Sequence, residues 1–137
     1  MLVAGHIKHA EYDKFKEQAD VAIKQANKVP LLNASPTEEQ SEIPKSIPSS
    51  NYVRINYVSR KMIAYYANTH LIAIEHLDFS KTMIKREIYD VQGRLRVQLL
   101  FNAPDTVRQE DYFDEKGRRV DQYRYIAPTT GGDIYVH

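Results

Sequence analysis

The chain has 137 residues with 19 Lys and Arg against 18 Asp and Glu, so its formal charge of +1 offers no field to gather nucleic acid. It contains no Cys and no Trp, which removes disulfides, thiolate catalysis and Cys-ligated metal centres, while ten Tyr suit a pleated surface wet on one side. One domain is expected at this length, no apolar run reaches the ~18 residues of a transmembrane segment, and the N-terminus lacks signal-peptide order, so the reading is cytoplasmic.

Residues 11–28 read as a helix, because Tyr12, Phe15, Ala19, Ala22, Ile23 and Ala26 recur at spacings of three and four with Lys14, Glu17, Asp20 and Lys24 between them. Pro30 stops it. Half the stripe is alanine, which predicts weak docking, and the chain's own sheet, a partner or no surface at all stay open as its seat. This makes 1–29 an N-terminal helical segment. Residues 30–51 read as a linker, since Pro30, Pro36, Pro44 and Pro48 deny backbone donors and Ser35, Ser41, Ser46, Ser49 and Ser50 bring little apolar surface.

Residues 52–137 read as a sheet domain with strands at 52–57, 61–67, 71–77, 82–89, 94–101, 106–113, 118–125 and 133–136. Leu77-Asp78, Tyr89-Asp90, Phe101-Asn102, Phe113-Asp114 and Tyr125-Ile126 recur every twelve residues, an eight-residue strand plus a four-residue turn. The turns Asp90-Val91-Gln92-Gly93 and Asp114-Glu115-Lys116-Gly117 fit type I turns with a glycine bulge, so Asp90, Gly93, Asp114 and Gly117 are structural. Asn102-Ala103-Pro104-Asp105 and Asp78-Phe79-Ser80-Lys81 are degenerate versions, and Thr129-Thr130-Gly131-Gly132 is a terminal turn. The fold class is therefore mainly β: an antiparallel meander with a twelve-residue repeat, preceded by one helix and a Pro-rich linker.

If Asp90 faces Arg94, Asn102 faces Thr106 and Asp114 faces Arg118, and each ladder continues evenly, one face gathers Leu77, Met83, Tyr89, Leu95, Val97, Leu99, Phe101 and Phe113 and is expected to be packed. The other gathers Arg86, Arg94, Arg96, Arg108, Tyr112 and Arg124, with Ile72, Ile74, Ile84 and Ile88 in a separate patch. Arg108 and Arg124 become cross-strand neighbours, as do Asp111 and Asp121. Arg86, Arg96, Arg108, Tyr112 and Arg124 are the expected partner-binding residues. Replacing Arg96 and Arg108 with Glu should then spare the fold, whereas Leu99→Asp or Phe101→Asp should unfold it.

No enzyme is specified. His6 and His9 lack a third ligand, His70 and His76 are too far apart to share an ion, Asp111 and Asp121 lie on an open sheet, and no Gly-rich turn cradles a phosphate. No metal, no catalytic residue and no cofactor are expected.

The stretches Ile63–Asn68, Leu71–Asp78, Lys85–Arg94 and Tyr112–Arg118 resemble the extended β-sheet add-on domain of the bacterial accessory-Sec glycosyltransferase pair, nearer to its stabilising, chaperone-like subunit. The resemblance covers roughly 52–126 and rests on turn signatures. It implies a non-catalytic interaction module that stabilises a protein O-glycosyltransferase and helps present its serine-rich adhesin, in the cytoplasm or at the membrane face through that partner. The chain lacks the strand–helix alternation of the family's glycosyltransferase domains, so no catalytic or sugar-binding residue is carried over. The Tyr-Asp-x-x-Gly-Arg turns also resemble YD repeats of toxin shells and antitoxin meanders, which implies a structural or binding module unrelated to glycosylation.

Overall fold

A computed structural model describes residues 4–34, 51–103, 106–126 and 134–136. Helix α1 spans Ala4–Ala26, and the strands are β1 Leu32–Asn33, β2 Tyr52–Tyr57, β3 Met62–Ala67, β4 His70–Leu77, β5 Met83–Tyr89, β6 Leu95–Ala103, β7 Thr106–Phe113, β8 Arg119–Ile126 and β9 Ile134–Val136. Among the described residues they form one nine-stranded sheet in chain order. Every pairing is antiparallel except the parallel contact of β1 with β2. The mainly β meander with an N-terminal helix is what the chain adopts.

Residues 35–50 of the expected linker, parts of the Asn102–Asp105 turn and the Thr129–Gly132 turn lie outside the described residues. Leu32 and Asn33, inside the expected linker, instead pair with Ile55 and Asn56. The helix also starts earlier than its apolar stripe: Ala4 to Ala10 is helical although Gly5, His6 and His9 are weak helix formers and no periodicity announces it. It closes at Ala26 with the Asn27 and Lys28 amides donating back to Ile23 and Gln25, ahead of Pro30.

The helix docks on the chain's own sheet. Its alanines make that possible, since Ala19, Ala22 and Ala26 are buried and bring the helix backbone close to Ala73 and Ala67. Tyr12 anchors one end, its hydroxyl donating to the Phe113 carbonyl at 2.8 Å, and Arg54 of β2 holds the other by donating to the Val29 carbonyl and Asn27 Oδ1. Beneath it lie Tyr65, Ile72, Ala73, Ile88, Val97, Leu99 and Tyr112. A second core of Val53, Ile55, Tyr57, Met62, Ala64, Tyr66, Leu71 and Ile74 forms on β2, β3 and β4.

The even ladder does not hold. Tyr89 pairs with Leu95 but Ile88 pairs with Val97, so Arg96 is an extra residue in β6. The same skip leaves Ile72, Ile84, Arg108 and Val120 extra in their strands, again twelve residues apart. Each is a β-bulge, and each inverts the face of everything beyond it. Ile88, Val97, Leu99 and Tyr112 therefore share the helix-covered face, where the even ladder had split them. Asp111 pairs with Gln122 and Arg124 with Gln109, so neither like-charge pair expected from the sequence forms.

Candidate interaction surface

The two Asp-x-x-Gly-Arg turns are built alike. Asp90 Oδ1 accepts the Gln92 and Arg94 amides at 2.9 and 3.0 Å and its Oδ2 accepts Arg94 Nε at 2.8 Å. Asp114 accepts the Lys116 and Arg118 amides at 2.8 and 2.9 Å and Arg118 Nε at 3.0 Å. Gly93 and Gly117 stand at φ 80° and 83° with open space around them, so backbone conformation, not crowding, requires glycine. Asp78 accepts the Ser80 and Thr82 amides in the same way, but Lys81 takes the glycine position at φ 64°.

Three of the expected partner-binding residues instead serve the helix–sheet interface. Arg96, 4% exposed, is turned by its bulge under the helix. It donates to the Phe113 carbonyl, Asp90 Oδ2 and Glu11 Oε1 at 3.0, 3.3 and 3.3 Å, and its guanidinium lies 4.7 Å from the Phe15 ring centroid. Arg86 donates two hydrogen bonds to Glu75 Oε2, whose other oxygen accepts Tyr65, and it approaches Asp20 of the helix at 3.6 Å. Tyr112 is buried, donates to Glu110 and accepts from Lys16 at 3.1 Å, while Tyr125 donates to the second Glu110 oxygen at 3.0 Å. Burial first, then the Glu110 hydrogen bond and charge, push the Tyr112 phenol far above its ordinary value. Glu11, Asp20 and Glu75 were not singled out as site residues from sequence, because their partners lie in other elements; Glu110 has Tyr112 on its own strand, but its contacts to Tyr125 and Lys16 likewise cross elements.

Arg108 and Arg124 are exposed. The strand pairing sets Arg124 on the face away from the helix, with Gln109 across from it. On that face Asp111 is buried among the amides of Gln98, Gln109 and Gln122, which donate to it at 3.4, 3.0 and 2.7 Å. His76 Nε2 meets Glu87 Oε1 at 2.6 Å, and Tyr89 bonds the same carboxylate. Among the described residues, no group of three or more His, Cys, Asp or Glu could hold a metal ion.

These contacts set an acid limit. Burial alone would raise Glu87, but the His76 hydrogen bond and charge outweigh it and hold the carboxyl below its ordinary 4.5. Burial also opposes ionisation of Asp90, and the Arg94 amide and guanidinium with the Gln92 amide and Arg96 outweigh it, holding the acid below 3.8. A carboxyl depressed in the folded state contributes stability that is complete above its unfolded value and is lost as pH falls through the folded one. Thermal unfolding followed from pH 7 downward should therefore change little from these groups until about pH 5 and then fall steeply. A melting temperature flat to pH 2 would refute the pairing.

A groove of ≈ 560 Å³ runs beside the helix, lined by Val21, Ala22, Tyr52, Ala67, Ile72 and Val91, and a second of ≈ 510 Å³ lies by Arg96, Glu11, Tyr12, Lys116 and Arg118. The arrangement presents surfaces: one face closed by a helix, another paved with amides and arginine over β6 to β8.

No protein-family model matches the chain, and no curated protein matches it. Solved structures share part of its shape. A GtfA/B complex bound to UDP and GlcNAc is 13% identical with a TM-score of 0.42, over 56% of this chain and 19% of that one. A mutant of S. aureus TarM in complex with fondaparinux, alpha-GlcNAc-glycerol and UDP is 17% identical with a TM-score of 0.36, over 56% and 17%. Another TarM structure is 12% identical with a TM-score of 0.31, over 56% and 20%. The chain thus matches about a fifth of each of these proteins.

Proposed function

We propose that the chain is a non-catalytic interaction module that stabilises a protein O-glycosyltransferase and helps present its serine-rich adhesin substrate. The observation that carries the reading is the Asp-x-x-Gly-Arg turn, the feature by which the sequence resembles the accessory-Sec add-on sheet, formed twice with the same bonds at Asp90–Arg94 and Asp114–Arg118. A long single sheet with one face occupied by its own helix, and with the other buried over β2 to β4, leaves that other face over β6 to β8 and the strand edges for a partner. In this reading Arg108 and Arg124 are the contacting cations, and Arg86, Arg96 and Tyr112 hold the helix that shapes the module. In this reading it acts in the cytoplasm or, through its partner, at the membrane face.

Co-expression with the catalytic glycosyltransferase of the same genome should raise that enzyme's soluble yield and co-purify it. The double variant Arg108→Glu, Arg124→Glu should lose co-purification with its own melting temperature unchanged. No co-purification and no gain in yield would sink the proposal. The same Tyr89-Asp90-x-x-Gly93-Arg94 turn favours the YD-repeat or antitoxin-type reading second, and capture of a toxin encoded beside the chain would decide for it.

A further inference from the structure

The turns joining β2 to β3 and β4 to β5 stand side by side at one rim of the sheet, tied by the Leu77 amide donating to the Lys61 carbonyl at 2.8 Å. They carry what a buried core would normally take up. Phe79 is 90% exposed at the tip of one turn and Val58 is 63% exposed on the other. Cations surround them: Lys61 Nζ sits 3.3 Å from the Phe79 ring centroid, Arg60 lies 5.9 Å from that of Tyr57, and Lys81 follows Phe79 by two residues.

The backbone adds a second observation. Lys61 and Lys81 hold φ 51° and 64°, the left-handed region where a side chain is disfavoured. Gly93 and Gly117 fill the position of Lys81 in the sister turns. The left-handed backbone itself belongs to the turns, Lys61 closing the short helix at Val58–Arg60 and Lys81 the Asp78 turn, so what folding stability does not explain is lysine at both places beside an exposed aromatic. Asp78, the only carboxylate on these two turns, is spent on the Ser80 and Thr82 amides. The rim is thus locally basic on a chain whose net charge is only +1.

We propose that this rim contacts an anionic lipid surface, with Phe79 entering the headgroup region and Arg60, Lys61 and Lys81 meeting the phosphates and carboxylates around it. Charge complementarity selects an acidic occupant. The shape favours lipid over an acidic protein: Phe79 is a prong at a turn tip, and the two grooves described above lie elsewhere, whereas a protein hot spot sits in a walled pocket. This surface is independent of the glycosyltransferase reading and is tested on the chain alone.

The probe is co-sedimentation with vesicles of phosphatidylcholine, with and without phosphatidylserine. The wild-type chain should sediment only with the anionic vesicles and be released by added salt. Phe79→Ser should bind about tenfold more weakly. Lys81→Gly, which removes one cation and relieves the left-handed strain together, should bind about fivefold more weakly while melting at a higher temperature. Val120→Ser, an exposed apolar position away from the rim, should bind as the wild type. No sedimentation, equal sedimentation with neutral vesicles, or indifference to Phe79→Ser would overturn the proposal. So would Phe79-dependent binding to polyglutamate without binding to vesicles, which would assign the rim to an acidic protein.

Discussion

Arg96→Glu is expected to lower the melting temperature by roughly 10–20 °C, because breaking a buried ion pair costs about 3–5 kcal/mol and each kcal/mol shifts a domain of this size by about 3–5 °C. The mutant removes a guanidinium that answers Asp90, Glu11 and the Phe113 carbonyl and that stacks on Phe15 and Tyr12. It also sets a new carboxylate against the buried carboxylate of Asp90. Arg108→Glu changes the same residue type at the equivalent bulge one repeat later and should move stability by no more than about 0.5 kcal/mol, because Arg108 is exposed. Circular dichroism melts of the two variants measure the difference. Equal melting temperatures would show that Arg96 does not tie the helix to the sheet. An even ladder predicts that equality; the bulge at Arg96 reverses it.

Val97→Asp is expected to abolish the cooperative unfolding transition. Val97 is fully buried on the interior strand β6, paired with Ile88 and Tyr112 beneath the helix, and its burial is worth about 2 kcal/mol. An uncompensated carboxylate there adds several kcal/mol more, so the total approaches the ~5–15 kcal/mol that holds a domain folded. Leu99→Asp is a gentler version of the experiment, because Arg86 faces Leu99 across the ladder and offers the new carboxylate a cation. Earlier elution in gel filtration with lost near-ultraviolet dichroism is the expected signature of Val97→Asp. A sharp melt near that of the wild type would place Val97 on the wrong face.

The strands were legible because each turn is punctuated: Asp90, Gly93, Asp114 and Gly117 mark turns whose hydrogen bonds form as their residue types predict. Strand β1 was hidden because two residues beside prolines carry no periodicity. The faces were misread for a different reason. A bulge residue has no signature of its own, so Arg96 and Val120 look like ordinary members of their strands. A signal was nevertheless present. Ile88 of β5 falls on an even number while Val97, Leu99 and Phe101 of β6 fall on odd ones, and that change of parity between neighbouring strands is the register shift written in apolar residues. The charge partners were less accessible. Glu11 and Asp20 meet Arg96 and Arg86 only because an alanine-rich helix comes close enough to the sheet, and no local pattern encodes that approach.

The bulge in each repeat also sets how the sheet can change in length. Successive strands run in opposite directions, and each bulge carries the buried residues from even to odd positions or back. Loss or gain of one twelve-residue unit would therefore point every later strand the wrong way and put its apolar residues in water. Two units together restore both direction and parity. The sheet's quantum of growth is the hairpin, so relatives of different length should differ by pairs of repeats, and a module lengthened by one hairpin should fold with the helix still seated on the strands it covers now.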